Sequence, residues 1–250
     1  MDKPNVQILS DADELAEAAA QAIVSLARNA VSARGAFTIA LSGGSTPKRL
    51  YELLANPGRE YRDQFPWSQT LFFWTDERHV PPDNSESNFR MTDEAMLSHV
   101  PVPGGNVHRF LAELPDAQEV ASEYETQLRN SFQNSLPAFD LILLGLGPDG
   151  HTASLFPGTT ALTETERWVT APWVEKFNSY RLTMTLPVLN NAAVVMFLVS
   201  GKDKATILNE VLSEGEAKFP AQLIKPTHGE LRWLVDKAAI SGPQASPPAG

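Results

Sequence analysis

The stretch FDLILLGLGPDGHTASLFPG, residues 139–158, is the most informative part of the chain. Its apolar run at 139–144 contains a single acid, Asp140, and ends abruptly in glycines. Such a run is typical of a strand buried on both faces of a parallel sheet. The glycines that follow predict a turn that presents Asp149 and His151 at the carboxyl end of the strand, where open α/β sheets bind ligands.

The same turn fits two nucleotide-binding patterns in form, but its chemistry argues against both. Residues 145–150, GLGPDG, satisfy G-x-G-x-x-G, and His151 stands where a phosphate-binding loop has lysine. Such loops bind a pyrophosphate through bare backbone N–H groups. Pro148 removes one of these donors, and Asp149 places a carboxylate where the anion would sit. We therefore interpret the turn as one that aims an aspartate and a histidine at a substrate.

Further apolar runs alternate with amphipathic segments along the whole chain. The runs predict strands near residues 6–9, 37–41, 71–75, 107–110, 168–174, 180–186, 194–199 and 231–235. Amphipathic segments predict helices near 12–34, 48–54, 88–99 and 116–132, and one more that ends near residue 212. The alternation, without a composition break or repeat, predicts an α/β fold: a doubly wound, mostly parallel, Rossmann-like sheet with helices on both faces.

The domain organisation that we expect is simple. We predict a single main α/β domain at residues 1–240, with a small cap insertion between residues 76 and 132. The last segment, 241–250, consists of Ser, Gly, Pro, Gln and Ala, and we expect it to be a disordered tail.

Composition and charge exclude several classes of protein. The chain has 250 residues, no cysteine and a formal net charge of -10. Disulfides, thiol nucleophiles and cysteine-based metal sites are therefore excluded. One histidine with scattered carboxylates does not form a zinc ligand set, so we expect no metal and no cofactor. The acidic balance argues against nucleic acid and anionic membranes as partners. With neither a signal-peptide pattern nor an apolar run of transmembrane length, we expect a cytoplasmic location.

An acidic protein can still bind a small anion if donors gather locally. Residues 42–47, SGGSTP, follow the strand at 37–41 and precede a helix. A strand, a glycine-rich turn and a helix capped by Ser or Thr, with Pro in its first turn, form the arrangement that binds phosphate through free N–H groups. Two glycines flanked by three hydroxyl side chains exceed what a helix cap needs, so we expect anion binding here.

The strand at 71–75 also ends in polar residues. Asp76, Glu77, Arg78 and His79 follow it directly. Four such residues could form only a solvated turn, but their position beside two similar strand ends favours a cleft that Asp76 and Arg78 share.

Three stretches together resemble the 6-phosphogluconolactonase family: LSGGSTP at 41–47, TDERHVPPDNSESN at 75–88 and GLGPDGHTASLFPG at 145–158. SGKDKA at 200–205 is in register as well, so the resemblance runs across most of the chain. It implies a carboxylic ester hydrolase of carbohydrate metabolism, which opens 6-phospho-D-glucono-1,5-lactone to 6-phospho-D-gluconate in the pentose phosphate pathway without a cofactor.

The wider group includes glucosamine-6-phosphate deaminases, in which an Asn-Glu pair follows the histidine. Leu155 and Phe156 stand at those positions in this sequence. The missing carboxylate favours lactone hydrolysis over isomerisation with deamination.

For the substrate phosphate, the resemblance implies one set of backbone donors, hydroxyl groups and cations. The set is Ser42, Gly43, Gly44, Ser45, Thr46, Arg181 and Lys204. N–H groups at a helix start give direction, arginine gives a bidentate fork and lysine gives a point charge. Lys202 competes with Lys204, and we prefer Lys204 because the matched motif ends Lys-Ala.

Lactone hydrolysis needs a water nucleophile, a base and stabilisation of the developing oxyanion. A neutral imidazole suits base catalysis near pH 7, and we predict that His151 is the base. Asp149 or Asp76 could orient the imidazole or the water, and the sequence leaves this choice open. Arg78 is a candidate for holding the lactone carbonyl or a carboxylate partner, with a surface salt bridge as the alternative.

Two other functions stay open at this point. One is an isomerase or deaminase that acts on amino sugar phosphates, and the other is a non-catalytic sugar-phosphate-binding protein. A serine esterase is disfavoured, because Ala40 and Thr152 occupy the first glycine position of G-x-S-x-G around Ser42 and Ser154. We expect a small phosphosugar lactone as the binding partner, and a monomer or weak homo-oligomer as the assembly.

Overall fold

The computed structural model describes residues 5–240, so the tail predicted at 241–250 lies outside the described residues. Within this range the strands are β1 (Asn5–Leu9), β2 (Phe37–Leu41), β3 (Thr70–Trp74), β4 (Asp76–Arg78), β5 (Leu141–Leu144), β6 (Val169–Thr170), β7 (Trp173–Val174), β8 (Ser179–Met184), β9 (Val194–Val199) and β10 (Glu230–Asp236). The α-helices are α1 (Ala12–Arg34), α2 (Ser45–Ala55), α3 (Glu60–Gln64), α4 (Asn88–Ala95), α5 (Ala117–Ser131), α6 (Leu186–Leu189), α7 (Ala205–Leu212) and α8 (Lys237–Ile240).

Six strands form an all-parallel sheet in the order β1-β10-β9-β5-β2-β3. Every residue of β5 and β9 is buried, so both faces of the sheet centre are covered. The continuous apolar runs in the sequence are explained by this double burial. The prediction of a doubly wound, mostly parallel α/β fold is confirmed.

The strand order fixes where a ligand can bind. From β2 the chain proceeds to β3 on one side, whereas from β5 it proceeds to β9 on the other side. The direction of winding therefore reverses between the neighbouring strands β2 and β5. In open α/β sheets the crevice at the carboxyl ends of such a strand pair is the ligand site.

A second, antiparallel sheet is built on β8, which pairs with β4, β6 and β7. Its pairing with β4 places Asp76 opposite Thr183 and Arg78 opposite Arg181. The charged residues at 76–78 thus form a strand rather than a turn. The region predicted as a cap, 76–132, supplies β4, α4 and α5.

Other element bounds differ from the predictions for local reasons. The strand expected at 107–110 is reduced to a single bridge between Phe72 and Val107, which directly follows a 3-10 turn at Gly104–Asn106. The helix expected at 88–99 ends at Ala95, and a separate 3-10 turn covers Leu97–His99.

One continuous hydrophobic core joins the two sheets. It contains Phe197 of β9 and Trp233 of β10, whose rings stack at 3.8 Å, together with Leu182 and Met184 of β8. In the described part of the chain, no helix has the length and apolar character needed to cross a membrane.

Candidate active site

A cavity of about 390 Å³ opens at the carboxyl ends of β2 and β5, where the direction of winding reverses. This volume is in the range of small-molecule sites. Most of the predicted site residues line it, namely Ser42, Gly43, Gly44, Asp76, Arg78, His151, Arg181 and Lys204. The three others do not line it: Ser45 and Thr46 form the first turn of α2, and Asp149 lies behind His151.

His151 and Asp149 form a hydrogen-bonded pair in the turn that follows β5. The Nδ1 of His151 bonds to Oδ1 of Asp149, and the His151 backbone N–H donates to the same oxygen at 3.3 Å. Burial raises the pKa of Asp149, because it opposes ionisation of the carboxyl group. Hydrogen bonds from His151 and Lys176, together with the charge of His151, have the larger effect, so the pKa of Asp149 lies below its ordinary value. An ionised carboxylate on Nδ1 fixes the imidazole tautomer and leaves Nε2 as the basic nitrogen.

The glycine-rich turn leaves space for this imidazole. A Cβ atom on Gly147 would lie 2.0 Å from Nδ1 and from Cε1 of His151. Gly147 is not among the residues with positive φ, so space rather than backbone conformation requires glycine here. On another side, the ring of Phe156 lies with its centroid 4.1 Å from that of His151.

Asp76 lines the same cavity, but its carboxylate bonds to hydroxyl groups rather than to the imidazole. Its Oδ2 accepts a hydrogen bond of 2.7 Å from the Ser154 hydroxyl, and its Oδ1 accepts one of 3.3 Å from the Thr75 hydroxyl. Of the two aspartates that the sequence left as candidates, Asp149 is therefore the one in contact with His151.

The side chains of Asp76 and Arg78 reach the cavity together, while that of Glu77, between them on β4, points away from it. Side chains alternate along a strand, so those of Asp76 and Arg78 share one face of β4 and that of Glu77 takes the other. Glu77 accepts the backbone N–H groups of Asn88 at 2.7 Å and Phe89 at 2.8 Å. Burial raises the pKa of Glu77 despite these bonds. The carboxyl group anchors the start of α4 and is no part of the cavity.

The turn after β2 leads into α2 earlier than predicted, and a glycine rather than a hydroxyl residue caps the helix. Gly44 is the N-cap, with a φ of 111° and no side-chain cap bond, and Ser45 begins the helix. The first N–H groups of α2 are thus left for a ligand. A Cβ on Gly43 would lie 1.9 Å from Oδ1 of Asn88, so glycine is needed for the approach of α4.

Ser42 has the environment of a ligand-binding hydroxyl. Ser42 lines the cavity and is only 3% exposed, and its Oγ has no hydrogen-bond partner. The backbone N–H and carbonyl of Ser42 are held by the Tyr51 hydroxyl at 3.1 and 2.9 Å. A hydroxyl group on a rigid backbone that lacks a partner within the protein is suited to form a hydrogen bond with a polar ligand atom.

Two arginines stand opposite each other on β4 and β8. Arg181 is 9% exposed, and burial together with the nearby charge of Arg78 lowers its pKa from the ordinary value. Its Nη1 donates to the Ser179 hydroxyl at 2.7 Å, and its guanidinium lies 4.7 Å from the ring centroid of Phe177. Arg78 donates to the backbone carbonyl of Glu86. Like charges directly opposite each other are unfavourable, so negative charge on a bound ligand would stabilise this pair.

Of the two competing lysines, Lys204 lines the cavity and Lys202 does not. The Nζ of Lys204 lies 3.3 Å from Oδ2 of Asp203. The turn that carries it is fixed by the buried Asp236, which accepts the Ser200 hydroxyl at 2.5 Å and the Gly201 N–H at 3.2 Å. Lys204 is therefore the lysine of this turn that lies in the cavity.

Several cavity residues were not identified from the sequence. Glu86, Asn88 and Ser154 lie within the quoted motifs, where their polar character was a usable signal. Phe177 lies between β7 and β8, in a segment that carries no motif. Only the pairing of β8 with β4 and β7 brings it to the cavity.

Comparison with known proteins gives a consistent result. Residues 10–233 match the family model described as glucosamine-6-phosphate isomerases/6-phosphogluconolactonase. The chain is similar to a 6-phosphogluconolactonase of Synechocystis sp., with 43% identity over 94% of this chain and 97% of the relative. A 6-phosphogluconolactonase of Nostoc sp. is 39% identical over 95% of this chain and 97% of the relative. The solved 6-phosphogluconolactonase of Trypanosoma cruzi superposes with a TM-score of 0.84 at 28% identity, covering 97% of this chain and 98% of the other.

Proposed function

The chain belongs to the family of glucosamine-6-phosphate isomerases and 6-phosphogluconolactonases, and we propose that it hydrolyses 6-phospho-D-glucono-1,5-lactone with His151 as the general base. The observation that carries the proposal is the meeting of an Asp149-oriented imidazole and three cations in one cavity. Lactone hydrolysis yields 6-phospho-D-gluconate, a step of the pentose phosphate pathway.

The reaction follows from the basic Nε2 of His151. This nitrogen takes a proton from a water molecule, whose oxygen attacks the lactone carbonyl carbon and forms a tetrahedral intermediate. The intermediate collapses with cleavage of the bond between the carbonyl carbon and the ring oxygen, and the imidazolium returns its proton to that oxygen. Asp149 stabilises the imidazolium while it exists. The carboxylic acid product then loses its proton to solvent.

Two polar groups of β4 have distinct roles in this proposal. Asp76 is buried, and its carboxylate accepts bonds from two hydroxyl groups, so we assign it to the attacking water or a substrate hydroxyl. Arg78 bonds to a backbone carbonyl rather than to a carboxylate. We assign it to the negative charge that develops on the carbonyl oxygen, because preorganised cations stabilise such charge.

We assign the substrate phosphate to the start of α2 and the cations around it. Free N–H groups at 44–46, the Ser42 hydroxyl, the Arg181 fork and the Lys204 ammonium are complementary to a phosphate dianion.

The residues around His151 disfavour the deaminase alternative. Phe156 packs on the imidazole, and Leu155 is fully buried, so neither position offers a carboxyl group for proton transfer. A non-catalytic binding protein would not need the oriented His151–Asp149 pair.

The test is hydrolysis of freshly prepared 6-phosphogluconolactone, coupled to 6-phosphogluconate dehydrogenase and corrected for spontaneous opening. We expect acceleration by the protein and its loss in His151→Ala, because general-base catalysis contributes roughly 10²- to 10⁴-fold. His228→Ala, which removes an exposed histidine away from the cavity, is the matched control. Near-normal turnover by His151→Ala contradicts the assignment of the base. No acceleration by the unmodified protein contradicts the function itself.

A cytoplasmic location and a monomer or weak homo-oligomer remain our proposals for the cell. Fractionation and sedimentation velocity are the measurements that test them.

A further inference from the structure

Lys176 contacts the His151–Asp149 pair from outside the cavity. Its Nζ donates to Oδ2 of Asp149 at 3.3 Å, while Oδ1 of the same carboxylate bonds to His151. The two oxygens of one carboxylate thus join an ammonium group to the imidazole. The Lys176 side chain is 54% exposed and does not line the cavity, so it reaches the reacting groups only through Asp149.

The turn that carries Lys176 contacts two residues that line the cavity, Phe156 and Arg181. It is the 3-10 turn Glu175–Phe177, and Asn178 closes it with a φ of 46°. The ring of Phe177 packs against Phe156 at 5.5 Å, next to the imidazole, and lies against the Arg181 guanidinium. These contacts fix the backbone from which the lysine reaches Asp149.

We propose that Lys176 is a positioning residue of the hydrolase, which holds Asp149 in place and keeps the imidazole in its neutral, basic form. A cation on the far oxygen offsets part of the negative charge that Asp149 presents to His151, and this disfavours protonation of the ring. A general base must be neutral at the working pH. The inference rests on the proposed function, since it concerns the base of that reaction.

Other charged groups also face His151 and set the background for this effect. Asp149 and Lys176 stand on the Nδ1 side. Across the cavity are Asp76, Arg78, Glu86, Arg181 and Lys204. Because the cavity charges are unchanged when Lys176 is replaced, a difference between variants reports the contribution of this one lysine.

The first experiment compares kcat, KM and the pH profile of Lys176→Met with those of the unmodified protein. Methionine removes the charge and keeps most of the side-chain length. We expect kcat to fall about 2- to 5-fold with KM nearly unchanged, and the acid limb of kcat/KM to move up by about 0.3–0.7 pH units, as suits an exposed ion pair. Lys176→Arg should restore both, and about 1 M salt should shrink the difference. Lys225→Met, at an exposed lysine outside the cavity, is the control.

The second experiment needs no substrate. The ring signals of His151 are followed by NMR as a function of pH, assigned by their loss in His151→Gln, and the titration midpoint should be higher in Lys176→Met. An unchanged midpoint and acid limb in that variant overturn the role of Lys176, even if kcat falls. A shifted midpoint in a protein without lactonase activity supports the coupling of the three residues and overturns the proposed function instead.

Discussion

Replacing Gly147 with alanine places a methyl group in the space that the His151 imidazole occupies. The added Cβ would lie 2.0 Å from Nδ1 and Cε1 of the ring. Carbon atoms in contact prefer separations of about 3.5–4.0 Å, so the ring must retreat by roughly 1.5–2 Å. A hydrogen bond does not survive such a displacement, and the bond to Asp149 is lost.

The expected result is a large loss of turnover with little loss of fold. A displacement of about 1 Å at a reacting group can cost roughly 10²-fold, and loss of base catalysis roughly 10²- to 10⁴-fold, so we expect kcat of Gly147→Ala to fall by about 10²- to 10⁴-fold. The ring lies beside the open cavity and can turn away, so the change in unfolding free energy should stay near 1 kcal/mol, or about 2–4 °C in Tm.

The assay is coupled hydrolysis of the fresh lactone, with Tm measured on the same samples. Gly105→Ala is the control, because a Cβ there meets no atom within 4 Å and the residue lies outside the cavity. Even a 1 Å displacement of the His151 ring should reduce turnover roughly 10²-fold. If Gly147→Ala keeps turnover within about threefold of the unmodified protein, the added methyl group does not displace the ring and the prediction is wrong. A fall in Tm well beyond that range would mean that the methyl group disturbs the fold rather than the base.

Three further predictions concern the charged groups. Arg181→Lys should raise KM by roughly 10- to 100-fold with a smaller change in kcat, and steady-state kinetics measures both constants. The reason is that lysine lacks the bidentate fork of arginine, and a hydrogen bond to a charged group contributes about 1.5–3 kcal/mol. Lys204→Ala should likewise weaken binding more than chemistry, and an equal effect of Lys202→Ala would contradict the assignment. The pKa of Asp149 is lower in the folded state than in the unfolded state, where it is about 4. The ionised carboxylate therefore stabilises the folded state above about pH 4, and this stabilisation is lost as the pH falls through the pKa of the folded state. Asp149→Asn should therefore flatten the dependence of urea midpoints on pH below about 4, and an unchanged slope would count against the ionised carboxylate.

The parallel sheet and the position of the His151–Asp149 pair could be predicted because both depend on local sequence. Strands buried on both faces must be apolar throughout, so the runs at 139–144 and 194–199 indicated β5 and β9 directly. The turn after β5 belongs to the same continuous segment, and the Asp149–His151 contact spans only two residues. The resemblance to the family named the residues proposed to bind phosphate, of which Ser42, Gly43, Gly44, Arg181 and Lys204 line the same cavity.

The rest of the site depends on pairings between distant segments. The opposition of Arg78 and Arg181 is set by the register of β4 against β8, and no local pattern encodes that register. The contact of Lys176 with Asp149 depends on how the β7–β8 hairpin packs. Gly44 took the cap position expected for a hydroxyl residue because its φ of 111° is open to glycine alone at little cost.

The division of the site between two sheets has a consequence for how activity appears during folding. The parallel sheet supplies the ends of β2 and β5, while Asp76, Arg78 and Arg181 come from the antiparallel pair β4 and β8. Those two strands are widely separated in sequence, and pairings of this kind close long loops and form slowly. Refolded protein should regain its secondary structure before it regains turnover, so the return of enzymatic activity is a kinetic marker for completion of the whole tertiary structure.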